Sequence, residues 1–344
     1  MALFSLIYDR FLLSSKKRKF RESGIKDREI GNTPLIRLFY YSSSYSRLMY
    51  AKMECENPTR SAKDRVAQYI LNKAIEEGRI NKDTTVIEAS SGNTGLALAR
   101  LSNKMGIKCI ITIKDKVSAT KISDLKQQGA KVIICSAKAD RSSLDNYITK
   151  AEHLAETIED AFYVNQNYNP DNTEAHYNST GPEIWDQTGG AITHLVGTIG
   201  TGGTLSGTAK YLKEMNPEIQ VIAIDAKGSV LQHFYETGEL DKSKAGSYNM
   251  DGVGKKFIPA NVRFEYFNQV LQVSDIEAYH SCIELNKEES IFVGHSSGAV
   301  MEGMKQIAHE CDRKACIVGI FPDHGSKYEK SIFSNQWLEE KGFI

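Results

Sequence analysis

The sequence predicts an α/β fold with parallel-type sheets covered by helices, and three observations predict it. Six short β-branched runs are apolar nearly throughout rather than alternating, as strands buried on both faces require. Stretches with helical spacing lie between them, so strand, turn and helix recur along the chain. The 344 residues, at roughly 100–200 per domain, suit two domains or one large unit with a subdomain.

In chain order the strands are TTVIEA (84–89), KCIITI (108–113), KVIICS (131–136), HLVGTI (194–199), QVIAID (220–225) and CIVGIF (316–321). The helix over 64–78 sets Val66, Ile70 and Ala74 on one face and ends at a glycine. Further helices are expected at 94–106 and 203–216. In such sheets ligands bind beyond the carboxyl ends of the strands, where loops lead into helix N-termini.

Composition narrows the function classes. Lys plus Arg and Asp plus Glu are each 43, a formal net charge of zero, without the basic excess that nucleic-acid binding usually needs. No run approaches the ~18 apolar residues of a membrane span. The first twenty residues put the basic cluster 16–19 after an apolar stretch that already holds Asp9 and Arg10, the wrong order for a secretory signal. The six scattered cysteines form no CxxC pair and are expected to be reduced and mostly buried. No His/Cys cluster has metal-ligand spacing. A cytoplasmic protein without resident metal is expected.

Two loops carry the first chemical signal. Strand 84–89 runs into Ser90-Ser91-Gly92-Asn93-Thr94-Gly95, and strand 194–199 into Gly200-Thr201-Gly202-Gly203-Thr204, each before a helix. Glycines free backbone N–H groups for close approach, and hydroxyls add donors, so each is an anion site at a helix N-terminus. Read singly, each is more economically a capped turn. Two in one sheet point to a ligand with two anionic groups. Neither is a Walker loop, which needs a lysine, nor a dinucleotide fingerprint, since Leu205 stands at the third glycine position. A cofactor smaller than ATP or NAD is expected.

Lys63, just before the helix that follows, is the third feature. The positive end of the helix dipole lowers an amine's pKa, and a partly neutral lysine attacks carbonyls to form a Schiff base. An exposed surface lysine is the alternative reading.

Ser61-Ala62-Lys63-Asp64-Arg65, SSGNTG (90–95) and GTGGT (200–204), in that order, resemble the cysteine synthase and cystathionine β-synthase family, fold-type II enzymes dependent on pyridoxal 5′-phosphate (PLP). Segments 31–35, 172–185, 251–259 (DGVGKKFIP), 294–299 (GHSSGA) and 322–325 extend the likeness to about Trp337. The resemblance implies PLP in a cleft between two domains, a small mobile one over 57–167 and a large one joining 24–56 to 168–337, with an extension at 1–23 and a tail at 338–344. Lys63 would hold PLP and later take the substrate's α-proton. The loop of Gly200, Thr201, Gly202, Gly203 and Thr204 would bind its phosphate, with Gly252 nearby. Asn93 would meet the ring hydroxyl, and Ser296 the pyridine nitrogen, a helix cap being the latter's other reading. Ser90, Ser91, Gly92, Thr94 and Gln166 would hold the substrate carboxylate.

A hydroxyl at the ring nitrogen favours β-elimination and β-replacement through α-aminoacrylate. The expected substrate is a small β-substituted amino acid, with sulfide entering or leaving. Joining serine or O-phosphoserine to a larger nucleophile, homocysteine or glutamate, is the alternative. Asp251, where cysteine synthases carry an uncharged residue and cystathionine β-synthases a glutamate, is expected at the mouth as a base, a solvated loop aspartate being its other reading, and as a base it tilts the reading toward release of sulfide from cysteine. Lys227 is a candidate for a nucleophile's distal carboxylate, an exposed surface lysine being the more economical reading, while His295 and His324 have no role dictated by spacing. A homodimer, aided by an apolar face of Leu3, Ile7 and Phe11, and a complex with a serine acetyltransferase belong to the same expectation. A non-catalytic scaffold would not need Lys63, Asn93, Ser296 and both loops together.

Overall fold

The computed structural model describes residues 29–343. The expected extension at 1–23, with its apolar face and basic cluster, lies outside them. Ten strands form two sheets. The first contains β1 (Leu35–Arg37), β2 (Leu48–Met53), β7 (His194–Thr198), β8 (Gln220–Ala226), β9 (Gln269–Val273) and β10 (Cys316–Phe321), ordered β1-β2-β10-β7-β8-β9. The second contains β3 (Thr85–Ala89), β4 (Lys108–Lys114), β5 (Lys131–Cys135) and β6 (Ala161–Tyr163), ordered β5-β4-β3-β6. Every pairing is parallel except β1 with β2.

The expected α/β class holds, and all six expected strands are present. Central strands behave as their composition requires: β10 is buried along its whole length between β2 and β7. Strand β5 departs from the expectation of burial on both faces. It is an edge strand, and Ile134 is 54% exposed. Five of the six cysteines are buried and all are free.

Helices cover both sheets. They are α1 (Phe39–Tyr45), α2 (Lys63–Glu76), α3 (Asn93–Met105), α4 (Ala119–Gln127), α5 (Tyr147–Thr157), α6 (Asp171–Tyr177), α7 (Thr180–Thr188), α8 (Gly203–Met215), α9 (Leu231–Thr237), α10 (Asp275–Glu289), α11 (His295–Glu310) and α12 (Asn335–Glu340). Val66, Ile70 and Ala74 of α2 pack into one core with Val86, Leu98 and Ile111, as their spacing implies. Leu338 and Phe343, in the stretch expected as a tail, join the core around Tyr279.

The start of α2 is fixed by a buried charge cluster. Arg65 donates to Glu54 at 2.7 Å and to Glu183 at 2.6 Å, while Lys52 reaches Glu183 at 2.5 Å. Burial opposes ionisation of Glu54, but Arg65 and Lys52 overcome it and hold its pKa down at about 2. Glu54 follows β2 and Glu183 lies on α7, so Lys63, two residues before Arg65, is anchored to the first sheet.

Candidate active site

The carboxyl ends of β3, β4, β7 and β10 face one cleft of about 1250 Å³. Lys63, Ser90, Ser91, Gly92, Asn93, Thr94, Gln166, Gly200, Thr201, Gly202, Thr204, Asp251, Gly252 and Ser296 all line it. Among the residues expected at the site, Gly203 alone is not on the wall. It is buried against Asn172, whose Oδ1 leaves no room for a Cβ.

Lys63 begins α2. Burial lowers its amine to about 8, partly opposed by Asp323 and assisted by Lys255. A tenth of such an amine is neutral near pH 7, so the group is a usable nucleophile and base.

The loop after β7 is a backbone cradle. A Cβ at Gly200 would meet the carbonyl of Gly252 at 2.0 Å, and Gly202 sits at φ +93° against Val262. Helix α8 starts there with no side-chain cap, so its first N–H groups and the dipole are free for an anion. Both hydroxyls of this loop are steadied from α6. Asn172 Nδ2 donates to Thr201 Oγ1 at 3.0 Å, and Thr204 Oγ1 lies 3.1 Å from His176 Nε2. Burial depresses His176 to about 3, so its ring is neutral, donating to one of the hydroxyls of Thr204 and Thr180 and accepting from the other.

In the loop after β3, the capping reading survives for one residue. Ser90 Oγ accepts from the N–H groups of Gly92 and Gly95, at 3.4 and 3.3 Å. Thr94 Oγ1 donates to Gln166 Oε1 at 2.6 Å. Gln166 in turn leans on Glu88, a β3 carboxyl only 2% exposed that burial raises to about 7. Ser296 is not the cap of α11. Gly294 occupies that position, and Ser296 Oγ faces the cleft 3.4 Å from Asp323 Oδ1.

Asp323, in the segment 322–325 that resembles the family, joins the parts. It is 2% exposed and accepts from Asn93 Nδ2 at 3.0 Å and Tyr328 Oη at 2.6 Å. Lys327 donates to Asn93 Oδ1. Asp251 stands at the rim, its side chain 80% exposed and 3.3 Å from Lys121 of α4. Lys227 is exposed and off the cleft wall. The lysine on that wall from the DGVGKKFIP segment is Lys255. His295 is buried beside Tyr328 rather than in the cleft, and His324 caps the turn at Gly325. Among the described residues no group of His, Cys, Asp or Glu has the arrangement of a metal site, and no helix is long and apolar enough to cross a membrane.

A glycine cradle at an uncapped helix N-terminus, a lysine made partly neutral by burial and a hydroxyl on the opposite wall fit PLP. The comparisons agree. The chain is 37% identical over 317 residues to a cystathionine beta-synthase of Apis mellifera, matching 92% of this chain and 62% of that protein's length. The chain thus spans a little under two thirds of that curated relative. Among solved structures, an O-acetylserine dependent cystathionine beta-synthase from Helicobacter pylori superposes with a TM-score of 0.78 at 34% identity, covering 88% of this chain and 95% of that one. The family model described as "Pyridoxal-phosphate dependent enzyme" matches residues 26–323, and the chain belongs to that family.

Proposed function

We propose that the protein replaces the β-substituent of a small L-amino acid, with sulfide or a thiol entering or leaving. The observation that carries this is the convergence of Lys63, Asn93, Ser296 and the Gly200–Thr204 cradle on one cleft. PLP, when bound, supplies the electron sink that makes an amino acid's α-proton acidic.

The residues divide the remaining work. The cradle N–H groups, with Thr201 and Thr204, hold the phosphate, and Asn93 and Ser296 orient the ring. The amine of Lys63 takes the proton from the substrate's Cα. Ser90, Ser91, Thr94 and Gln166 bind the α-carboxylate, and segment 57–167 moves as a unit over the larger part formed by 24–56 and 168–337, excluding water. Asp251, engaged by Lys121, serves at the mouth rather than at the reacting carbon.

Both relatives carry the name cystathionine beta-synthase, which supports a second reading, an amino-acid thiol as the incoming group. A homodimer, a cytoplasmic setting and a serine acetyltransferase partner complete the proposal. Exposed Ile36, Phe39, Tyr40 and Leu48, gathered around β1 and α1, support the dimer.

Holoenzyme given O-acetylserine should release acetate, and form cysteine with added sulfide or cystathionine with added L-homocysteine. L-Cysteine with homocysteine should release sulfide. Absence of all four products from PLP-loaded protein would overturn the reading.

A further inference from the structure

Lys255 is a cation without a fixed counter-charge in the wall of the cleft. Burial lowers its pKa, with Asp251 opposing and Lys114 adding to the effect. Its Nζ lies 5.9 Å from the centre of the Phe257 ring, and among the described residues this ammonium makes no ion pair and no hydrogen bond, while the Lys255 backbone is bonded to Ser229 and Val230. A half-buried ammonium in that position gains more from an arriving anion than a solvated one would, because its own hydration is already reduced.

Its surroundings favour the same occupant. Lys114, the last residue of β4, lines the same cleft from the second sheet, with Nζ 4.8 Å from the Tyr147 ring. Lys121 adds a third cation, and Asp251, the acid within electrostatic reach of Lys255, is already engaged by Lys121. Lys63 and Lys255 line the same cleft, and the charge of Lys255 helps to lower the pKa of Lys63, so a molecule held by Lys255 shares the cleft with the reacting centre.

We propose that Lys255, with Lys114 and Lys121, forms a carboxylate-binding subsite for the incoming nucleophile. Its ligand is a thiol bearing a carboxylate a few carbons away, and Lys255 is the residue that selects it over neutral thiols. The assignment rests on the β-replacement reading and gives it a substrate class. It also moves the distal-carboxylate role from Lys227, which is off the cleft wall, to Lys255.

The test uses holoenzyme, O-acetylserine and two thiols of similar size, 3-mercaptopropionate and 2-mercaptoethanol, which differ in the carboxylate. Wild type should use the first with kcat/KM at least about tenfold higher, the scale of one charge-assisted contact. Lys255→Gln should bring the ratio close to one, mainly through KM for mercaptopropionate, and Lys255→Arg should retain it. Equal use of both thiols by wild type would overturn the proposal. So would an unchanged ratio in Lys255→Gln, or a PLP dissociation constant raised about tenfold in that variant, which would make Lys255 a cofactor ligand. Acetate released in the first half-reaction is read separately. Protein that releases none fails the underlying reading, whereas protein that releases it without discriminating the thiols fails this one.

Discussion

Asp323 Oδ2 accepts a hydrogen bond from Asn93 Nδ2 at 3.0 Å, across 230 residues of sequence. The bond joins the end of the first sheet's central strand to the first turn of the helix that follows β3 in the second sheet. The same carboxylate receives Tyr328 and Ser296, so two side chains proposed to orient the cofactor share one acceptor. Asp323→Ala would leave these donors without it, each at a cost of about 1–3 kcal/mol where buried. PLP affinity, measured by equilibrium dialysis, should weaken at least about tenfold, and Asp323→Asn, which keeps one oxygen, should lose less.

Uptake of PLP by apoprotein should report the amine of Lys63. Attack on the aldehyde needs the neutral form, and burial lowers this pKa to about 8. The reconstitution rate should rise with pH and level off just above 8, whereas an ordinary lysine would keep rising toward about 10.4. Stopped-flow absorbance across pH 6–10 checks the plateau, and Lys63→Ala should lose the covalent phase altogether.

Glu88 makes stability depend on pH in an unusual direction. Its folded pKa, raised by burial to about 7, exceeds the unfolded value, so the native state binds more protons between about 4.5 and 7. Its contribution is therefore full below the unfolded pKa and is lost as pH rises through 7. Denaturant titrations of wild type and Glu88→Gln should run parallel below about pH 4 and separate progressively above it, by up to about 3 kcal/mol at pH 8, with the variant gaining.

Removing Arg65 would strand Glu54, which is fully buried, and deprive Glu183 of its second cation. Arg65→Met should cost about 3–5 kcal/mol of stability, the scale of breaking a buried ion pair on one side. Because Lys63 lies two residues away on the same helix, PLP binding should fall with it. Thermal melts with and without PLP check both effects.

The sequence and the structure agree where local pattern decides. Buried parallel strands are continuous apolar runs, and six of them were legible to within about one residue. Strands β1, β6 and β9 were not, being short or partly polar, and β2 hides its register behind Lys52, a buried lysine explained by Glu183 131 residues away. The anion loops declare themselves through glycine and hydroxyl spacing. Asp323, His176, Glu88 and Lys255 do not, because each acquires meaning from a partner or a wall supplied by a distant segment. Asp323, His176 and Lys255 lie in segments that resemble the family, and that resemblance is the signal the sequence carries for them.

Strand β10 sits at the centre of the first sheet, between β2 and β7, yet it is made long after β2. Residues 85–163 can close the second sheet while β2 still has an open edge. From Met53 to Cys316 is 263 residues, about 13–50 s of synthesis at common elongation rates of roughly 5–20 residues per second. For that interval β2 lacks its neighbour, as does β7 once residue 198 is made, and a ribosome that stalls between residues 198 and 316 carries a chain with two unpaired edges. Truncation in this region is thus expected to divert the nascent chain to chaperones or aggregation rather than to yield a shortened but folded enzyme.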